Sequence, residues 1–122
     1  MEPNKCYMVY LTAPEGDTAR GIARALVKRR LAACANVFDG IDACYWWDGA
    51  LQEDRETAFV VKTTGDLFEE LVAAVKDLHP DSCPCIVGLP IDGGNEDFLS
   101  WIRQETHRDR AAEEQGGTRN DT

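Results

Sequence analysis

One stretch limits what this chain can fold into. From Cys34 to Thr64, two long β-type arms flank the dipeptide Asp48-Gly49. Asp-Gly between such arms signals a hairpin, because a primed two-residue turn needs positive φ and Gly adopts it freely. The arms, CANVFDGIDACYWW and QEDRETAFVVKTT, are rich in Val, Phe, Tyr, Trp and Thr, which suit a pleated, half-buried surface. About a dozen residues per arm, at ~3.3 Å each, give a ribbon of ~40 Å. A chain of 122 residues folds to a radius of gyration of only ~14 Å. The hairpin must therefore protrude, and its tip carries Tyr45, Trp46 and Trp47. Exposed aromatic strand invites association unless a partner covers it, so an oligomer is expected. Asp39-Gly40 interrupts the first arm, and Gly inside a strand marks a bulge or bend.

The flanks of the hairpin complete a pattern. Cys6–Thr12 is an apolar run bounded by Ala-Pro-Glu-Gly and reads as a covered strand. A helix is predicted over Thr18–Arg30, capped by Asp17 or Thr18. Ile22, Ala23, Leu26 and Val27 form its inner stripe, and Arg20, Arg24 and Lys28 face solvent. After the hairpin, Leu67, Phe68, Leu71, Val72, Val75 and Leu78 line one face of a helix over Gly65–Leu78, which His79-Pro80 stops. Cys85–Leu89 reads as an edge strand among prolines. Asn95 caps a last helix whose apolar face is Phe98, Leu99, Trp101 and Ile102. The order is β-α-β-β-α-β plus a C-terminal helix: an α+β, ferredoxin-like arrangement with an extended β2–β3 hairpin. The apolar pattern ends near Arg103. A single domain is assigned to residues 1–110, and the polar segment 111–122 reads as a disordered tail.

Charge and cysteine usage narrow the partners. The net charge of −9 opposes a nucleic-acid partner. No apolar run approaches the ~20 residues of a transmembrane helix, and the N-terminus lacks the pattern of a signal peptide. Five cysteines, an odd number with no export signal, read as reduced thiols in a cytoplasmic protein.

The residues that bear chemistry are few. His79, Cys83 and Cys85 form a soft-ligand cluster. Alternate residues of an extended segment face one way, so Cys83 and Cys85 present two sulfurs together, and thiolate and imidazole suit Cu(I) or Zn(II). The plainer account has one thiol in the core, one exposed, and a histidine that merely ends a helix. Asp39, Asp42, Asp48, Glu53, Asp54 and Glu56 read as the solvated face of the hairpin, with no calcium-loop spacing. Cys34, among small apolar residues, reads as a buried thiol. The row Arg20, Arg24, Lys28, Arg29 and Arg30 reads as a solvated face or as intersubunit ion pairs. No nucleophile has a companion base, and no phosphate or dinucleotide fingerprint occurs, so no enzyme is indicated.

Several motifs recur in a specific order: ARALVKRRLAACANVF, the hairpin GI-x-x-x-YWW-x-G-x-LQED, VVKTT, LHP followed by P-x-I-x-x-LPI, and GN-x-DFLSWI. Over about Val9 to Ile102 this set resembles the CutA family of divalent-cation tolerance proteins. The resemblance implies a ferredoxin-like subunit in a tight homotrimer whose hairpins build the intersubunit sheet. It implies a cytoplasmic, non-enzymatic protein that binds copper or another divalent metal ion. By likeness to the PII signalling trimers, it also implies the alternative of a regulatory trimer binding a small anion or nucleotide between subunits. His79 matches the family's turn histidine, a copper ligand. The strand position that carries a ligand cysteine in some members is Leu11 here. Asp81 and Cys85 replace the usual Tyr and Glu. That exchange removes an oxygen ligand and adds sulfur, so a metal near His79 is expected to be Cu(I) or Zn(II).

Overall fold

The computed structural model describes residues 1–107. The expected tail over 111–122 lies outside the described residues. The elements are β1 (Cys6–Ala13), α1 (Gly16–Lys28), β2 (Cys34–Trp47), β3 (Ala50–Thr64), α2 (Phe68–Leu78), β4 (Ile86–Pro90) and α3 (Glu96–His107). The four strands form one antiparallel sheet in the order β2-β3-β1-β4. The fold is α+β.

The hairpin turns where its sequence requires. Asp48 and Gly49 have φ of 53° and 77°, the paired positive values of a primed turn. Phe38 pairs with Ala58 and Ile41 with Glu56, so Asp39 and Gly40 together face Thr57. This is a bulge, and Gly40 at φ 70° supplies the left-handed residue it needs. β1 pairs with β3 only from Thr57 to Thr64. Among the described residues, the ribbon from Ile41 to Glu56 therefore has no third strand, and it projects from the sheet. Arg55 spans the bend, donating to the Gly40 carbonyl at 2.7 Å and to Asp42 at 3.0 Å. Arg20 of α1 is paired with Asp39, which ties the bend to the helix layer.

Strand alternation gives the sheet two unlike faces. On one, Val9, Leu11, Phe59 and Val61 are fully buried beneath Ile22, Ala23 and Leu26 of α1 and Leu71 and Val75 of α2. Each such side chain contributes roughly 1.5–3 kcal/mol on burial. On the other face, α3 closes only one end, packing Leu99 and Ile102 against Cys6. Beyond it, Phe38, Val87 and Leu89 are 52%, 50% and 46% exposed.

Several boundaries differ from expectation. α1 starts at Gly16 after an extended Glu15 that makes no side-chain cap, so neither Asp17 nor Thr18 is the cap. Arg30, expected on a solvated face, closes the helix at φ 64°. Its side chain is only 12% exposed and is paired with Glu105 of α3 at 2.8 Å. The first turn before α2 is a 3-10 turn over Gly65–Leu67, and Leu78 is exposed rather than packed. α3 continues past Arg103 to His107, with the Asp97 N–H bonded to the Asn95 side chain as predicted. Phe98 and Trp101 do not enter the core. They stack on each other at 5.5 Å on the surface.

Candidate functional site

The bent hairpin and the segment following α2 enclose a cleft of about 850 Å3 on the less covered sheet face. That volume lies within the ~300–1,000 Å3 range of ligand sites. Tyr10 and Thr12 of β1 contribute its base. Alternate β2 residues Ile41, Ala43, Tyr45 and Trp47 line one wall, and Pro80 to Cys83 with Cys85 line the other. Glu56 and Asp81 bring carboxyl groups to the lining, and Cys83 and Cys85 bring thiols. Asp42 and Cys44 border it from positions that alternate with Ile41, Ala43 and Tyr45. Among the described residues, no Lys, Arg or His lines it.

The carboxyl groups differ in their commitments. Asp42 is neutralised by Arg55. Asp81 lies near the rim, its carboxylate 3.9 Å from the His79 ring. Glu56, opposite Ile41 at the inner end of the ribbon, is half-buried and has no hydrogen bond or ion pair among the described residues. Nearby, the Tyr45 hydroxyl donates to Asp54 at 2.7 Å. That hydrogen bond, then desolvation and the charges of Asp54, Glu56 and Asp81, push the Tyr45 phenol up to about 12.

The three residues singled out as metal ligands do not share one position. Cys83 is exposed and Cys85 half-buried, and both line the cleft. Burial pushes the Cys85 thiol up. A hydrogen bond with Thr12 opposes that shift, and the Glu56 charge adds to it. His79 does not line the cleft. Its ring is buried, with a side-chain exposure of 1%. The Asp81 backbone N–H donates to Nδ1 at 3.1 Å, which leaves Nδ1 unprotonated. Nε2 then carries the proton and donates to the Thr12 carbonyl at 2.8 Å. Both ring nitrogens are thus committed to backbone groups. Among the described residues, no three His, Cys, Asp or Glu side chains converge as a preformed metal site.

Two features of the cleft are hard to see in the chain. Glu56 reads as one acid among six on a solvated ribbon. Its strand phase, shared with Ala58 and Val60 of β3, is the signal that turns it inward. Cys44 reads as an isolated thiol until the bend brings the hairpin beside Cys83 and Cys85. Cys34, expected to be buried, is half-buried at the start of β2.

Comparison with known proteins gives a consistent result. A family model described as CutA1 divalent ion tolerance protein matches residues 7–105. The divalent-cation tolerance protein CutA of Pyrococcus horikoshii is 42% identical over 101 residues, covering 83% of this chain and 98% of the relative. The protein of that name from Thermus thermophilus is 46% identical over 99 residues, covering 81% and 96%. A solved structure, the divalent cation tolerance protein (Cut A1) from Thermus thermophilus, superposes with a TM-score of 0.80 at 45% identity, covering 82% of this chain and 97% of that one.

Proposed function

The chain belongs to the CutA1 family of divalent ion tolerance proteins, and from that premise we propose a homotrimeric, non-enzymatic protein that takes up copper or a similarly soft metal ion at the cleft. The observation that carries this reading is the lining: the carboxyl groups of Glu56 and Asp81 and the thiols of Cys83 and Cys85, with no cationic side chain among the described residues that line it. Such a wall attracts cations, and its sulfur donors favour Cu(I) and Zn(II) over Mg(II) or Ca(II). Cys83 and Cys85 are the proposed ligands, with the unpartnered Glu56 beside them. His79 holds the segment that carries the thiols. The described residues of one chain hold no ready set of three donors, so a bound ion draws on side-chain rotation or on a second copy.

Two observations support the trimer. The sheet order β2-β3-β1-β4, with α1 and α2 on one face, supports the proposed ferredoxin-like subunit. Its other face exposes Phe38, Val87 and Leu89, apolar surface of the kind that association buries. The odd number of thiols, all free, suits a reducing cytoplasm.

Titration of Cu(I) against a competing chelator tests the metal reading. The Cys83→Ser, Cys85→Ser double variant is expected to bind at least ~10-fold more weakly than wild type, equivalent to about 1.4 kcal/mol. Equal affinities would remove these thiols from the site. A parallel thermal-shift screen separates metal from the nucleotides of the regulatory alternative, because a ligand that binds only the folded state raises Tm.

A further inference from the structure

We propose that Cys83 and Cys85 act as a dithiol clamp for trivalent organoarsenic compounds, which need two sulfurs rather than three. The inference deepens the reading of the cleft as a soft-ion site and names a ligand class that is not a divalent cation.

Pro84 separates the two cysteines. The chain bends at Cys83, and Cys85 immediately precedes β4, so one short segment brings both thiols to the cleft. Both thiols are free and both line the cleft, Cys83 exposed and Cys85 half-buried. His79, the obvious third donor, is committed to the Thr12 carbonyl and the Asp81 N–H. Among the described residues, no three His, Cys, Asp or Glu side chains form a ready metal-ligating group. An ion wanting three or four donors therefore finds an incomplete set, whereas a centre satisfied by two sulfurs needs only Cys83 and Cys85. Tyr45 and Trp47 line the same cleft and offer apolar faces to an organic substituent on arsenic. A cleft of about 850 Å3 has room for that substituent, far more than a bare ion needs.

The step is a condensation without redox change. An organoarsenic(III) oxide, R–As=O, reacts with the two thiols. Two As–S bonds form, the As=O bond breaks, and its oxygen leaves as water with both thiol protons. Arsenic stays trivalent.

The probe is phenylarsine oxide, added to the full-length protein and followed by intact-mass spectrometry. The expected adduct is one phenylarsenic group with loss of one water. It should survive washing with a monothiol and be released by a dithiol such as 2,3-dimercaptopropanol. Cys83→Ser and Cys85→Ser should each abolish the monothiol-resistant adduct, while Cys44→Ser keeps it. Peptide mapping of the unmodified wild-type sequence, which needs no variant to fold, should place arsenic on the peptide that carries both Cys83 and Cys85. An adduct that bridges Cys44, or that survives either Cys83→Ser or Cys85→Ser, would overturn the clamp. If no resistant adduct forms while Cu(I) affinity still depends on both thiols, this inference falls and the metal reading stands. If the adduct forms while Cu(I) ignores both thiols, the metal reading falls and the clamp stands.

Discussion

The two faces of the sheet are made from the same strands and nearly the same composition, yet they have opposite fates. In β1, Val9 and Leu11 are completely buried beneath α1 and α2, while their neighbours Met8 and Tyr10 keep partial exposure on the other side. β3 repeats the contrast with Phe59 and Val61 against Val60. Apolar residues on both faces are usual for a sheet covered on both sides. Here the described residues provide two helices for one face and only α3, at one end, for the other. The closed face therefore carries the stability of the subunit. The open face carries the cleft, the projecting ribbon and the apolar surface proposed for assembly.

That division predicts different failures for similar substitutions. Phe59→Ala empties the closed core and is expected to cost about 3–5 kcal/mol, read as a lower urea midpoint. Val87→Asp, on an open-face residue of the β4 edge, should leave the far-ultraviolet circular dichroism intact. It should shift the mass measured by light scattering from trimer to monomer. If Val87→Asp unfolds the chain, or leaves the trimer whole, the two faces do not divide stability and assembly as described.

His79 tests the boundary between the faces. It is buried, and it ties the backbone of Asp81, in the cleft wall, to the Thr12 carbonyl of β1. His79→Ala leaves that carbonyl and the Asp81 N–H without their partner. The cost is expected to be about 1–3 kcal/mol in metal-free protein. His79→Gln, whose amide both donates and accepts, should recover part of it. A direct ligand behaves differently: its loss leaves metal-free stability nearly unchanged and lowers Cu(I) affinity instead. The two patterns separate a positioning histidine from a ligating one.

The elements visible in the chain are those set by local chemistry. The Asp48-Gly49 turn, the Gly40 bulge and the Asn95 cap each depend on a few adjacent residues, and each appears where expected. The buried stripe of α1 follows from its 3.6-residue period, and Ile22, Ala23 and Leu26 are inside. What local chemistry does not set is harder to read. Leu78, Phe98 and Trp101 have the right period for a core and remain exposed, because nothing among the described residues covers them. Arg30 looks like one of a solvated row until α3, 75 residues later, presents Glu105 to it. The cleft is the extreme case. Its thiols come from β2 and from the segment before β4, and only the bend and the register bring them to one lining. The family resemblance points to His79 as a ligand, and its hydrogen bonds, which no local pattern encodes, commit the ring elsewhere.

The smallest expected effect is a titration, and it probes the open side directly. Tyr45 projects from the ribbon and donates to Asp54, and its pKa is raised from the ordinary 10.0 to about 12. Ultraviolet titration of the phenol should show one tyrosine ionising late. Asp54→Asn removes the charge behind that bond and should return Tyr45 toward its ordinary value. The sign of the linked stability follows. Tyr45 binds its proton more tightly in the folded protein than in the unfolded chain, so its contribution is complete below the ordinary tyrosine range. It is lost as pH rises through the folded value. A second copy laid over the ribbon would add desolvation, which acts in the same direction on a phenol. Tyr45 should therefore ionise later in the proposed wild-type trimer than in monomeric Val87→Asp. Identical titrations in the two would mean that the ribbon around Tyr45 is as open to water in the assembly as in the isolated subunit.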